Sequence, residues 1–124
     1  MTQEQRTEIA HKNPITLAFV GDAFMTLHVR TGLVMNNNLK PVKLHDMTSK
    51  VVCAKAQAKL FDGIQDALSE TEKDIANRAR NAGVNTIPSS CTLAEYKKAT
   101  AFEAVLGYNV LIGELERAKE LLSL

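Results

Sequence analysis

The chain has 124 residues, of which 45% are hydrophobic and 23% charged, with a formal net charge of +1. That is the size of one domain with a core of its own, and the near-zero charge excludes a globally basic nucleic-acid binder, so any polyanion site must come from local clustering. Cys53, Cys91, His11, His28 and His45 are scattered without metal-ligand spacing, which argues against a disulfide framework and against a zinc site.

The N-terminal stretch MTQEQRTEIAHKNP lacks the apolar core of a signal peptide, and no apolar run reaches the roughly 18 residues needed to cross a bilayer. A cytoplasmic protein without membrane association is therefore expected. Asn13-Pro14 places an N-cap before a proline suited to the first helical position, predicting a helix to about Arg30 that Thr31-Gly32 can end. Asn36-Asn37-Asn38 and Pro41 mark a loop. From about Leu44 to Ala67, Leu44, Met47, Val51, Ala54 and Ala58 recur at helical spacing, and Gly63 is a candidate point of division. Ser69-Glu70-Thr71-Glu72 and Thr92-Leu93-Ala94-Glu95 are capping boxes. The first opens a helix that should stop at Gly83; the second opens a long helix through Tyr108 and beyond. Gly113 separates or kinks a last amphipathic segment ending at Leu122. No useful stretch alternates with a period of two, so the expected fold class is all-α.

Two acids stand out. In LAFVGDAFMTLHV, Asp22 shares a helical face with Ile15, Ala18, Phe19, Met25, Thr26 and Val29, while Leu17, Val20, Phe24 and Leu27 occupy the opposite face. A helix apolar nearly all round is expected in the middle of a fold. In ATAFEAVLGYNVLIG, Glu103 is likewise the only charge. Gly21 and Gly107 would let these two helices pack closely, so the acids can meet. A buried carboxylate is costly unless it is paired with a cation, hydrogen-bonded or bound to a metal. An isolated acid on each of the two most apolar helices favours the last, because a carboxylate pair suits magnesium, which keeps its other positions for water and phosphate.

The basic residues are local. Lys40, Lys43, Lys50, Lys55 and Lys59, with His45, fall in one block, followed by an acidic block from Asp62 to Asp74. A basic surface of this kind can neutralise phosphates. Lysines flanking an apolar stripe are equally suited to covering the core with their stems, and His45 is as well explained by a capped or buried histidine. Arg78 and Arg80 end a helix with an acidic first turn, where the helix dipole also favours them.

LAFVGDAF resembles the signature helix of the ribonuclease III catalytic domain, and FEAVLGY resembles that family's second acidic helix. KPVKLHDMTSKVVCAKAQA, followed by RARNAG, TIP and EYKKATAFEAVLGY, is similar to the compact branch, mini-ribonuclease III, which lacks a double-stranded-RNA-binding domain. The resemblance covers about residues 13–122 and implies a single catalytic domain over 1–124. It further implies a homodimeric all-α endonuclease that cleaves double-stranded RNA with magnesium, for which manganese can substitute, leaving 5′-phosphate and 3′-hydroxyl ends. Asp22 and Glu103 become the catalytic, metal-binding acids. Two further acids of the full-length enzymes fall at Ala18 and Thr100 here, losses typical of the compact branch. The chain departs from that branch at Thr92, where an acid is common, and at Ser89-Ser90, where the segment is usually more basic. Lys40, Lys43, His45, Lys50, Arg78 and Arg80 are the expected RNA contacts. The family points to the large-subunit ribosomal RNA precursor as substrate and to an accessory ribosomal protein as a further partner.

Two other functions remain open on sequence. One is a non-catalytic ribonuclease III-like RNA-binding or ribosome-associated module, against which both acids argue. The other is a helical interaction domain, which would require buried basic partners for Asp22 and Glu103.

Overall fold

The computed structural model describes residues 1–84 and 86–123, and among these the chain is helical without strands. Helix α1 spans Gln3–Ala10, α2 Pro14–Asn36, α3 Pro41–Val52 and α4 Ala54–Ile64, which runs into a 3₁₀ turn at Gln65–Ala67. Then come α5 (Glu70–Arg80), α6 (Leu93–Leu111) and α7 (Leu115–Ser123).

Helix α6 is the axis. The Thr92–Glu95 capping box starts it, and Ala99, Ala101, Phe102 and every residue from Ala104 to Asn109 are buried. Helices α2, α4 and α5 pack around it, contributing Leu17, Met25, Phe61, Ile64 and Ile75 to one continuous core. The closest approach is between α2 and α6. A Cβ added to Gly21 would collide with the carbonyl oxygen of Glu103, and one added to Gly107 would collide with that of Leu17. These reciprocal glycines let two backbones touch where side chains would hold them apart.

Both capping boxes form as the sequence implies, and Asn13 with Pro14 starts α2. Other boundaries move. Helix α2 passes through Thr31-Gly32 to Asn36, because the Asn36 and Asn37 amides donate to the carbonyls of Gly32 and Leu33 at 2.8 and 3.0 Å and satisfy its last turn. Pro41 opens α3 instead of lying in a loop. The division in the next segment falls at Cys53, whose extended backbone separates α3 from α4, while Gly63 lies inside α4. Helix α5 stops at Arg80, before Gly83. Helix α1, absent from the expected elements, is opened by a capping box between Thr2 and Gln5.

The largest correction concerns α2. Only Leu17, Ala18, Gly21 and Met25 are buried, whereas Phe19 is 81% and Leu27 66% exposed, with Val34 and Met35 also bare. By length and composition α2 is even long and apolar enough to cross a membrane, contrary to the expectation that no such run exists. Its apolar circumference is divided: one side is the seat against α6, and the other is an open stripe.

A fully paired acid cluster closes the far end of α6. Glu72, 3% exposed, accepts from the Ser69 N–H (2.8 Å) and Asn109 Nδ2 (2.8 Å), and from Arg117 Nη2 (2.8 Å) and Nε (3.2 Å). Arg117 Nη2 also donates to the Ala67 carbonyl at 2.7 Å. Burial pushes the Glu72 carboxyl up, but the donors from Arg117, Ser69 and Asn109 outweigh it and hold the group below its ordinary value.

Candidate metal centre

The glycine contact between α2 and α6 brings Asp22 and Glu103 together. Gly21 lies against the Glu103 carbonyl, so the neighbouring Asp22 carboxylate comes within hydrogen-bonding reach of the Glu103 side chain. Asp22 is exposed and Glu103 half-buried, which corrects the reading of Asp22 as a buried charge. It stands at the border between the seat of α2 on α6 and its open stripe. The Glu103 carboxyl is pushed up to about 8, first by burial and then by the adjacent Asp22 carboxylate. Among the described residues no cation pairs with either acid. The alternative of a buried basic partner therefore finds no support.

Two touching carboxylates without a counter-charge have the donor set for a hard divalent cation. No cluster of three or more His, Cys, Asp or Glu side chains occurs among the described residues, which does not fit a closed zinc site. The remaining coordination positions would be left to water and substrate. At the two positions where full-length family members carry acids, Ala18 is buried and the Thr100 hydroxyl donates to the Tyr96 carbonyl of its own helix at 3.0 Å.

One residue at the site was not singled out from sequence. Gln57 on α4 is 3% exposed, and its amide donates to the Val52 carbonyl at 2.8 Å. It also stands on the donor side of the Glu103 carboxyl, favouring the ionised form. The local signal was only a polar residue on the apolar face of AKAQAKLF.

The expected RNA contacts divide into two groups. Lys40, Lys43, His45 and Lys50 are gathered on α3 and its first flank, all exposed. Lys50 pairs with Asp46 at 3.4 Å, and His45 Nδ1 lies 3.5 Å from Arg30 Nη2 of α2. Arg78 and Arg80 lie elsewhere, on α5, and are engaged with the fold. Arg78 pairs with Asp74 at 3.0 Å and donates to the Ala10 and Lys12 carbonyls, tying down the end of α1. The Arg80 guanidinium lies over the Phe61 ring, 5.8 Å from its centre. Thr92 caps α6 through its hydroxyl, which accepts from the Glu95 N–H at 3.1 Å. A groove of about 250 Å³ lined by Ile15, Gly83, Thr86, Tyr96, Lys97 and Thr100 opens one helical turn before Glu103.

Comparison with known proteins places the chain in a family. The profile of the Ribonuclease III domain family matches residues 15–114, spanning both acids. The chain is 48% identical over 112 residues to the Mini-ribonuclease 3 of a Thermoanaerobacter species, covering 90% of this chain and 79% of that one. It is 38% identical over 125 residues to the Mini-ribonuclease 3 of Staphylococcus aureus, covering 99% and 93%. A Fusobacterium nucleatum protein of known crystal structure superposes with a TM-score of 0.84 at 34% identity, covering 91% of this chain and 90% of that one.

Proposed function

Because the chain belongs to the ribonuclease III family and is an endoribonuclease of that type, we propose that it cleaves double-stranded RNA as a magnesium-dependent cytoplasmic homodimer. Its proposed substrate is the large-subunit ribosomal RNA precursor, presented with the help of an accessory ribosomal protein. The observation that carries the catalytic part is the unneutralised Asp22–Glu103 pair.

Asp22 and Glu103 would hold the magnesium, or manganese in its place. When bound, the ion supplies charge stabilisation at the scissile phosphate and lowers the pKa of water. Asp22, at the exposed edge, would be the acid nearer an incoming phosphodiester, and Glu103, half-buried on α6, would hold the ion from the inner side. Hydrolysis adds water to phosphorus and breaks the bond to O3′, which leaves with a proton. The products are a 5′-phosphate and a 3′-hydroxyl.

Cutting both strands of a duplex calls for two sites of opposite polarity, which a two-fold dimer supplies from one site per chain. The bare stripe of Phe19, Ala23 and Leu27 beside Asp22 is the supporting surface, since contiguous exposed apolar area marks an interface. The duplex would be held through phosphates and 2′-hydroxyls by Lys40, Lys43, His45 and Lys50, with Arg78 and Arg80 supplying positive charge from α5.

The test is cleavage of an end-labelled RNA duplex with magnesium by the wild type, Asp22→Asn and Glu103→Gln. Cutting lost in both folded, dimeric variants supports the reading. A folded wild type that binds duplexes but cuts none, with magnesium or manganese, would favour the non-catalytic binding module. Phe19→Glu should convert the dimer to monomer in light scattering.

A further inference from the structure

Gln57 Oε1 is the buried side-chain polar atom left without a hydrogen-bond partner among the described residues. An unpartnered buried acceptor carries a cost that an apolar side chain of the same shape would not. The rest of the amide is fully committed. Nε2 donates at 2.8 Å to the Val52 carbonyl, the group released where α3 gives way to α4 at Cys53, and the amide lies close enough to the Glu103 carboxyl to favour its ionised form. The helix break, the amide and the Glu103 carboxyl are thus neighbours, and the unpaired oxygen belongs to the same amide. Thr48, buried on α3, differs: its hydroxyl is satisfied by the Leu44 carbonyl of its own helix and reaches neither acid.

We infer that Gln57 is a positioning residue for Glu103, its amide N–H fixing the carboxylate for cation binding while Oε1 accepts from a water held at the same site. The assignment rests on the metal reading above. A residue that merely ties α3 to α4 would need the Val52 bond alone and would have no reason to stand on Glu103. Outer hydrogen-bond partners of metal ligands typically change metal affinity 10–100-fold when removed.

The test measures Mn²⁺ binding to the whole chain by the paramagnetic resonance signal of the free ion, at one pH, for wild type, Gln57→Met, Gln57→Asn, Glu103→Gln and the double variant Gln57→Met/Glu103→Gln. Thermal unfolding is followed in parallel. Gln57→Met should weaken Mn²⁺ binding at least about 10-fold, and the shortened amide of Gln57→Asn should do so by a smaller factor. In the Glu103→Gln background the same Met substitution should shift Tm as it does in the wild type but leave the residual Mn²⁺ affinity unchanged, because the carboxylate it acts through is gone. Wild-type Mn²⁺ affinity in folded Gln57→Met overturns the assignment, as does an equal loss in both backgrounds, which marks a structural role. Should Gln57→Met not fold, wild-type affinity in Gln57→Asn overturns it equally. If Glu103→Gln binds Mn²⁺ as the wild type does, the metal reading falls first and this assignment with it. Loss in Glu103→Gln beside full binding in the Gln57 variants overturns this assignment alone.

Discussion

Two glutamates lie along the buried stretch of α6, Glu103 near its middle and Glu72 against its end at Asn109, and they are treated in opposite ways. Glu72, brought by α5, is surrounded by donors: the Ser69 N–H, Asn109 and Arg117 complete its shell. Glu103, on α6 itself, has a carboxylate for a neighbour and one amide for support. Burial pushes both groups toward protonation; donors reverse the shift for Glu72, while Asp22 adds to it for Glu103. A carboxylate meant to hold the fold is neutralised by the chain. One left beside a second acid is held neutral by a proton up to about pH 8 and, in the function proposed above, by a cation in the proton's place.

The sharpest break of this comparison is Asp22→Asn or Glu103→Gln, each expected to reduce duplex cleavage about 10³-fold while Tm stays level or rises, since two like charges no longer oppose each other. Gly21→Ala should lower stability by about 3 kcal/mol or more, because its Cβ meets the Glu103 backbone instead of a movable side chain; chemical denaturation would measure this. Its surviving folded fraction should cut poorly, since the acids are forced apart. Glu72→Ala should cost about 3 kcal/mol, leaving Arg117 and Asn109 without their shared acceptor, yet the folded protein should keep its cleavage rate under conditions where it is fully native.

The most diagnostic prediction concerns pH. Glu103 has a folded-state pKa of about 8 against 4.5 unfolded, so between those values the folded chain binds more protons and its stability falls as pH rises. Glu72 has the opposite sign: its lowered pKa stabilises the fold above 4.5 and that contribution is lost as pH falls through the folded value. Tm of the metal-free protein should therefore decline from about pH 5 to 8. Magnesium should flatten the decline by taking the place of the proton, and Asp22→Asn should shrink it. A metal-free Tm that does not change over this range would remove the electrostatic argument for the pair.

Much of the local structure was legible. Ser69–Glu72, Thr92–Glu95 and Asn13-Pro14 each place their cap within four residues, and a helix start is a local event. The acids were legible as isolated charges on apolar helices, and the glycines beside them as points of close packing. The Cys53 break was not, because it depends on Gln57 reaching back to the Val52 carbonyl. The Arg78–Asp74 pair follows from i,i+4 spacing on α5, but the further contacts of Arg78 and Arg80 were not legible, because they come from Ala10 of α1 and Phe61 of α4. Glu72 was read as a cap alone; that it also receives Arg117 from α7 required the return of the chain's end onto its middle.

By itself the sequence determined the all-α class and the helix starts at Asn13, Ser69 and Thr92, because these depend on short-range periodicity and local capping, and it offered Asp22 and Glu103 as isolated acids that Gly21 and Gly107 could bring together; the contact itself is tertiary. Tertiary structure alone decided which side of α2 is covered. Apolar residues encircle that helix, so its pattern names no preferred face, and only the seat taken by α6 leaves Asp22 at the surface and Phe19 and Leu27 bare.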